Sequence, residues 1–320
     1  MRAIVVESPG GPEVLTAAEH ADPVPGPGEV LIDIAASGVN FIDVYYRTGA
    51  YPQPTPYVPG VEGAGTVTAV GDGVTEVAVG DRVAWVNVQG SYAERAAVPA
   101  DKVVPVPDGV SLEDAAAALL QGMTAHYLTR STYEVRAGDT ILVHAAAGGM
   151  GLLLIQLGKL FGARVIGTVS TPEKEKLARD AGADEVIGYD GFADEVRRLT
   201  GGEGVAVVYD GVGAPTFDGS LASLRRRGLL ALYGAAGGKV EPFDPQRLNA
   251  AGSTFLTRPT LAHYTATREE LLQRAAEVYG WVAAGDLRLH IGRRYDLADA
   301  RTAHEDLAGR RTTGKLILTP

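Results

Sequence analysis

The sequence contains no cysteine. That absence excludes disulfides, thiolate catalysis and cysteine-ligated zinc together, and it favours an unsecreted, cytoplasmic protein. The six histidines (His20, His126, His144, His263, His290, His304) are scattered, with no H-x-x-x-H pair of helical ligands, so no metal is expected. Apolar runs are short: 115–120 and 152–155 fall far below the roughly 20 residues that a membrane helix needs. Residues 4–6 form a brief β-like run that meets Glu7 and a Pro/Gly turn, which is not the body of a signal peptide. Positive charge is also in deficit. A net charge of −10 and a pI near 5.1 repel a phosphate backbone, and Arg225, Arg226 and Arg227 are too short a run to form a basic patch. Neither a membrane nor a nucleic acid is an expected partner.

What is present is a globular composition, 46% hydrophobic and 21% charged, with 41 glycines and 18 prolines to serve many turns. At 320 residues the chain exceeds what one core usually supports, so two domains are expected. Residues 1 to about 120 read as all-β, with short runs at 3–6, 29–36, 65–70, 82–86 and 92–98 separated by Gly/Pro clusters. Beyond about Gln121, strands alternate with helical stretches, the signature of βαβ units on a parallel sheet. The strands fall at 140–144, 164–168, 185–187, 205–209 and 229–233, each short and apolar as strands buried on both faces should be. Helices are expected at 150–161, 172–181, 192–199 and 215–224, with Pro172 and Pro215 suited to first turns. After about 260 a helix at 268–284 leads into short β runs and a final segment, 314–320, that return to the first domain. The expected division is 1–121 with 262–320, and 122–261.

The strand at 140–144 runs through Ala145, Ala146, Ala147, Gly148, Gly149, Met150 and Gly151 into an apolar helix. This is A-x-G-x-x-G in the strand-before, helix-after setting of a dinucleotide site. Gly148 lets backbone approach a pyrophosphate, Gly151 lets the helix pack close to the strand, and the helix start offers N–H groups to the anion. An NAD site usually adds an acidic residue about 20 residues on, to hold the ribose 2′-hydroxyl. Here no Asp or Glu occurs between Asp139 and Glu173. The second strand ends instead in Thr168, Val169 and Ser170, followed by Lys174, which suits a 2′-phosphate; NADPH is therefore the expected cofactor. The plainer reading of Lys174 is a solvated residue on a helix face.

Several longer stretches resemble a known family: S-G-V-N-F-I-D-V-Y-Y-R-T-G from Ser37, V-P-G-V-E-G-A-G-T-V from Val58, and H-A-A-A-G-G-M-G from His144. G-T-V-S-T-P-E-K from Gly167, L-T-R-P from Leu256 and R-x-T-x-G from Arg310 extend the match over the whole chain. The chain resembles the zinc-free, zeta-crystallin-like quinone oxidoreductases of the medium-chain dehydrogenase/reductase superfamily. The resemblance implies an α/β fold: a doubly wound Rossmann sheet plus a GroES-like β-barrel domain, with NADPH in the cleft between them. It also implies a homodimer and electron transfer from NADPH to quinones. In the zinc-dependent cousins a cysteine ligand sits near Val39 and a His-Glu pair near Val61 and Glu62; here the cysteine and histidine are missing.

By the same resemblance, Asn40, Asp43 and Tyr45 lie near the nicotinamide, Tyr51 beside the substrate opening, and Thr124 on the nicotinamide side. Ala147, Gly148, Gly149, Met150 and Gly151 take the pyrophosphate, while Ser170, Lys174 and Tyr189 surround the 2′-phosphate. Gly213, Tyr233, Phe255, Leu256, Thr257 and Arg310 line the remaining cofactor path, Gly213 standing where some members carry asparagine. For the chemistry, Tyr45 and Tyr51 would line a slot for a flat acceptor and Asn40 would donate to a carbonyl oxygen. The alternative for Asn40 and Asp43 is a turn held by side-chain to backbone bonds. His126 and His144 have no visible carboxylate partner for a relay and read as core or capping residues; Glu62 reads as a structural hydrogen-bonding residue. Three functions stay open: quinone reduction, reduction of the C=C bond of α,β-unsaturated ketones, and non-catalytic NADPH binding.

Overall fold

The computed structural model describes all 320 residues, and the chain divides into two compact units. The first comprises Met1–Met123, Thr265–Gly285 and Leu289–Pro320; the second comprises Thr124–Tyr264 and Asp286–Arg288.

The first unit opens with β1 (Arg2–Val5) and β2 (Thr16–Glu19), an antiparallel pair, followed by β3 (Glu29–Val39) and the helix α1 (Phe41–Arg47). β4 (Glu62–Val70), β5 (Arg82–Val86), β6 (Arg95–Pro99) and β7 (Val103–Pro105) precede α2 (Leu112–Tyr127). β3 organises the sheet. It pairs with β4 along one edge, and along the other with β6 at its start and with the C-terminal strand β15 (Lys315–Thr319) at its end. Val30, Ile32 and Ile34 alternate into a core with Val67, Val83, Trp85 and Val98, the period-2 pattern of a half-covered strand.

The second unit holds a six-stranded, wholly parallel sheet. In chain order it contains β8 (Thr140–Val143), α3 (Gly149–Leu160), β9 (Arg164–Thr168), α4 (Pro172–Asp180), β10 (Glu185–Ile187) and α5 (Phe192–Leu199). β11 (Val205–Asp210), α6 (Phe217–Ser223), β12 (Leu224–Leu232), α7 (Gln246–Ala250), β13 (Phe255–Thr257) and α8 (Leu261–Tyr264) complete it. The spatial order β10-β9-β8-β11-β12-β13 is the doubly wound order, which reverses between β8 and β11. The carboxyl ends of those two strands flank the switch point, where such sheets bind ligands. α9 (Arg268–Ala284), β14 (Ile291–Asp296), α10 (Ala300–Ala308) and β15 return to the first unit.

The structure corrects the all-β reading of the first 120 residues, since α1 and α2 interrupt it. α2 starts where Ser111 Oγ accepts the Asp114 N–H (3.0 Å), a helix-start signal that the apolar run 115–120 masks. Pro172 occupies the first turn of α4 as expected, whereas Pro215 precedes α6, which begins two residues later. No helix is long and apolar enough to cross a membrane.

Candidate functional site

In the second unit β8 passes through His144 into a tight turn. Ala145 has φ 49°, its N–H donates to the Tyr189 hydroxyl (3.0 Å), and the Ala146 N–H donates to the Thr168 carbonyl (3.0 Å). The first intrahelical bond of α3 is Leu152 N–H to Gly148 O, so the N–H groups of Gly149, Met150 and Gly151 lack intrahelical partners and form an anion-binding end. The two glycines of the motif differ. A Cβ at Gly151 would lie 2.3 Å from the Ala145 carbonyl oxygen and 2.7 Å from Ala146, so the fold itself requires glycine there. At Gly148, φ is −77° and a Cβ would meet only Ala145 O, at 3.2 Å. That contact is tight but can be relieved by a shift of a few tenths of an ångström, so packing constrains Gly148 less than Gly151, and close approach of a pyrophosphate is the stronger reason for glycine there.

β9 ends at Thr168 and leads through Val169 and the exposed Ser170 to Thr171, whose Oγ1 accepts the Lys174 N–H (3.3 Å) and caps α4. Lys174 and Tyr189 are half-buried. Beyond β11, Asp210 Oδ1 accepts the Val212 and Gly213 N–H groups (2.8 and 3.0 Å). Gly213 has φ 94°, and a Cβ there would meet Gly238 O at 2.5 Å, so an asparagine does not fit this turn. Tyr233 packs its ring against Gly211. The turn after β8, Ser170, Lys174, Tyr189, Gly213 and Tyr233 thus follow the carboxyl ends of five adjacent parallel strands. Leu256 and Thr257 lie on the edge strand β13. Phe255 is at that strand's opposite end from Thr257 and 58% exposed. Thr124 is buried in the last turns of α2, and Arg310 is exposed after α10 in the first unit.

In the first unit, Asn40 stands at the start of α1 and is buried. Its Oδ1 accepts from Lys315 Nζ (2.6 Å) and Gln121 Nε2 (3.3 Å); its Nδ2 donates to Glu62 Oε2 (2.8 Å) and, at 3.3 Å, to Gly38 O. Glu62 also takes the Lys315 ammonium on Oε2 (2.6 Å) and the Leu120 N–H on Oε1 (2.6 Å). The lysine–glutamate pair has 4% and 0% side-chain exposure.

Asp43 Oδ2 accepts the Asn40 N–H (2.8 Å), as in a capping box, and the Tyr92 hydroxyl (3.2 Å). Its Oδ1 is buried without a partner, and burial pushes the carboxyl up to about 7. Tyr92 Oη lies 3.0 Å from His304 Nε2, and Arg47 Nη1 lies 3.4 Å from His304 Nδ1. Burial and the Arg47 charge hold that imidazole down at about 3, so it is neutral. Tyr45 and Tyr51 meet at 5.1 Å with their rings tilted by 53°, a shelf with Phe41 and Tyr46 rather than two parallel walls. No three His, Cys, Asp or Glu side chains gather where they could hold a metal. Lys315, Tyr92, Arg47 and His304 went unmarked in the sequence because their partners are remote in the chain.

Two family models match: the GroES-like domain of alcohol dehydrogenases over residues 26–108 and zinc-binding dehydrogenase over 149–277. Together with the parallel doubly wound sheet, they define a medium-chain dehydrogenase/reductase. A quinone oxidoreductase of Pseudomonas aeruginosa is 48% identical over 315 residues, 97% of each chain. A mycobacterial protein solved in complex with NADPH is 55% identical with a TM-score of 0.97, covering all of both chains. A 2-haloacrylate reductase of a Burkholderia species is 41% identical over 329 residues, 99% of this chain and 98% of its own. The chain belongs to the zinc-free quinone oxidoreductases of the medium-chain dehydrogenase/reductase superfamily.

Proposed function

We propose that this protein is an NADPH:quinone oxidoreductase that works without zinc. The observation that carries the reading is the ligand end of the parallel sheet: Gly148 beside free helix-start N–H groups, next to a second strand that ends without an acid. Ala147, Gly148, Gly149, Met150 and Gly151 cradle the pyrophosphate, with the helix dipole behind them. Ser170, Lys174 and Tyr189 surround the 2′-phosphate; a carboxylate at that place would repel it. Gly213, Tyr233, Leu256, Thr257 and Thr124 complete the cofactor path within the second unit. NADPH and quinone also agree with the relatives' names, and the residues present fit the cofactor.

When bound, NADPH supplies a hydride to the acceptor. The chain's own residues orient and exclude. Tyr45 and Tyr51 offer an apolar aromatic shelf to a flat ring. Lys315 holds the Asn40 oxygen, and both Nδ2 hydrogens are taken, by Glu62 Oε2 and Gly38 O, so the buried Asn40 orders the start of α1 and has no hydrogen left for a substrate carbonyl. Asp43 positions the start of α1. The oxygens of a reduced quinone take protons from water, so positioning is the main contribution of the protein. A second reading, reduction of an activated C=C bond, is favoured by the 2-haloacrylate reductase relative, since a hydride delivered to a β-carbon needs the same orientation.

The test is NADPH oxidation with 1,4-benzoquinone, with an aliphatic enone, and with neither. Turnover with benzoquinone is expected. Turnover with the enone alone assigns the second reading, and no turnover in the presence of bound NADPH leaves a non-catalytic binding protein. We further place the working form as a homodimer in the cytoplasm. The open edge strand β13 with its exposed Phe255 supports the dimer, and the cysteine-free composition supports the compartment. A monomer by light scattering would overturn the dimer.

A further inference from the structure

In the second unit the ladders that join β8 to its two neighbours end at one level, where Val143 is in register with Gly167 on β9 and Tyr209 on β11. The next residue of each strand is Thr168, His144 and Asp210, and all three are buried. Their side chains carry the connection one level further. Thr168 Oγ1 lies 2.9 Å from His144 Nδ1, His144 Nε2 lies 2.9 Å from Ser220 Oγ on α6, and Ser220 Oγ lies 2.8 Å from Asp210 Oδ2. The Thr216 hydroxyl donates to the same Oδ2 (2.7 Å).

The direction of this chain follows from the hydrogen count. A carboxylate only accepts, so the single hydroxyl hydrogen of Ser220 goes to Asp210. Ser220 Oγ must therefore accept, which places the imidazole hydrogen on Nε2 and leaves Nδ1 to accept from the Thr168 hydroxyl. The two inner members, His144 and Ser220, each have one partner on each side, and a neutral imidazole can serve as a link. Burial keeps it neutral by lowering its pKa to about 4. Phe192 meets the ring edge-on at 4.8 Å, and Tyr189, which accepts the Ala145 N–H, lies nearly parallel to it at 6.1 Å.

We propose that Thr168, His144, Ser220 and Asp210 are positioning residues for the dinucleotide, tying into one rigid frame the three segments that hold it. The inference rests on the NADPH-binding reading above. His144 leads directly into the glycine-rich turn, Thr168 stands two residues before Ser170, and Asp210 Oδ1 holds the turn that carries Gly213. Beyond this level the main-chain linkage thins to bonds such as His144 N–H to Tyr209 O and Ala146 N–H to Thr168 O, so without the side-chain links the segments shift more freely against one another, and NADPH must order them on binding. Preorganisation of this kind appears as affinity.

The experiment compares Thr168→Val, which keeps shape but removes the donor, with Thr168→Ser, which keeps the hydroxyl. Ser220→Ala breaks the chain from α6, two links away. NADPH affinity by calorimetry, KM and kcat for NADPH, and thermal unfolding without cofactor are measured on the full chain. Thr168→Val and Ser220→Ala are each expected to weaken NADPH binding on the order of tenfold, the equivalent of one buried hydrogen bond. The loss appears in Kd and KM rather than in kcat at saturation, and Thr168→Ser restores wild-type affinity. Variants that unfold earlier yet bind NADPH as the wild type does overturn the proposal. A wild-type protein that binds no NADPH overturns instead the reading on which it rests. Should Thr168→Val fail to fold, Ser220→Ala alone decides.

Discussion

Replacing Lys315 with methionine is the sharpest perturbation the first unit offers. The ammonium and the Glu62 carboxylate are 2.6 Å apart, with side-chain exposures of 4% and 0%. A Cβ built on Gly38 would lie 2.1 Å from Glu62 Oε2, which measures how closely backbone covers the pair. Lys315→Met leaves the carboxylate two donors, Asn40 Nδ2 and the Leu120 N–H, but removes its countercharge from a site that water does not reach. Breaking a buried pair from one side costs about 3–5 kcal/mol, against at most about 1 kcal/mol for an exposed pair. Glu62→Gln makes the converse error and strands the ammonium. The double variant Glu62→Gln/Lys315→Met removes both charges, so it should be more stable than the two single losses added together. Urea denaturation followed by tryptophan fluorescence reads the right unit, because Trp85 and Trp281 both belong to it. A Lys315→Met protein within about 1 kcal/mol of wild type, or single losses that simply add in the double variant, would refute the reasoning.

Asp43 has its pKa raised by burial to about 7, so the stability it contributes is fully present below about pH 4 and is lost as pH rises through 7. Asp43→Asn should therefore gain on wild type between pH 5 and pH 8; the lowered histidines His144 and His304 act in the opposite sense but cancel in the comparison, and a constant difference would contradict the assignment. Gly148→Ala, whose Cβ meets Ala145 O at 3.2 Å, should lose little stability yet bind NADPH at least tenfold more weakly, whereas Gly151→Ala should lose much more stability even without cofactor, because its Cβ meets backbone at 2.3 Å. Calorimetry and thermal unfolding separate the two, and equal behaviour would show that the glycines do not divide the work. Lys174→Ala should raise the KM for NADPH roughly tenfold and leave that for NADH unchanged, as loss of one charge-assisted contact implies; equal weakening of both would mean that Lys174 does not read the 2′-phosphate. Tyr45→Ala should lower quinone turnover more than NADPH affinity, and an unchanged rate would make the aromatic shelf a packing feature.

The second unit was legible because its rules are local. Strands buried on both faces are apolar throughout, helices alternate with them, and the glycine-rich turn sits where the first strand meets the first helix. The missing acid after β9 was legible for the same reason. In the first unit α1 and α2 were hidden: Asn40 and Asp43 were read as residues near the nicotinamide, with a turn as the alternative, although they start a helix, and the alanine-rich 115–120 looked like any apolar run despite Ser111 and Asp114 before it. The buried polar groups were out of reach for a different reason. Lys315 and Glu62 are 253 residues apart, Arg47 and His304 are 257 apart, and His144 lies 76 residues from Ser220. Such partners share no periodicity, so the sequence reading of His144 found no carboxylate, while the structure supplies Asp210 through Ser220.

Glu62 shows how much the two kinds of information need each other. The absence of cysteine and of a histidine beside Glu62 argues against the metal ligands of the zinc-dependent cousins, but by itself it leaves an unexplained carboxylate in the core. An ionised carboxylate without a countercharge is strongly disfavoured there. Lys315 resolves this by bringing a fixed positive charge to the same oxygen that accepts from Asn40, and in doing so it turns the Asn40 carbonyl inward. The ammonium thus balances Glu62 and sets the orientation of the Asn40 amide. Charge balance in the core and the conformation of Asn40 at the start of α1 are then a single constraint, and a change at Lys315 is felt at both.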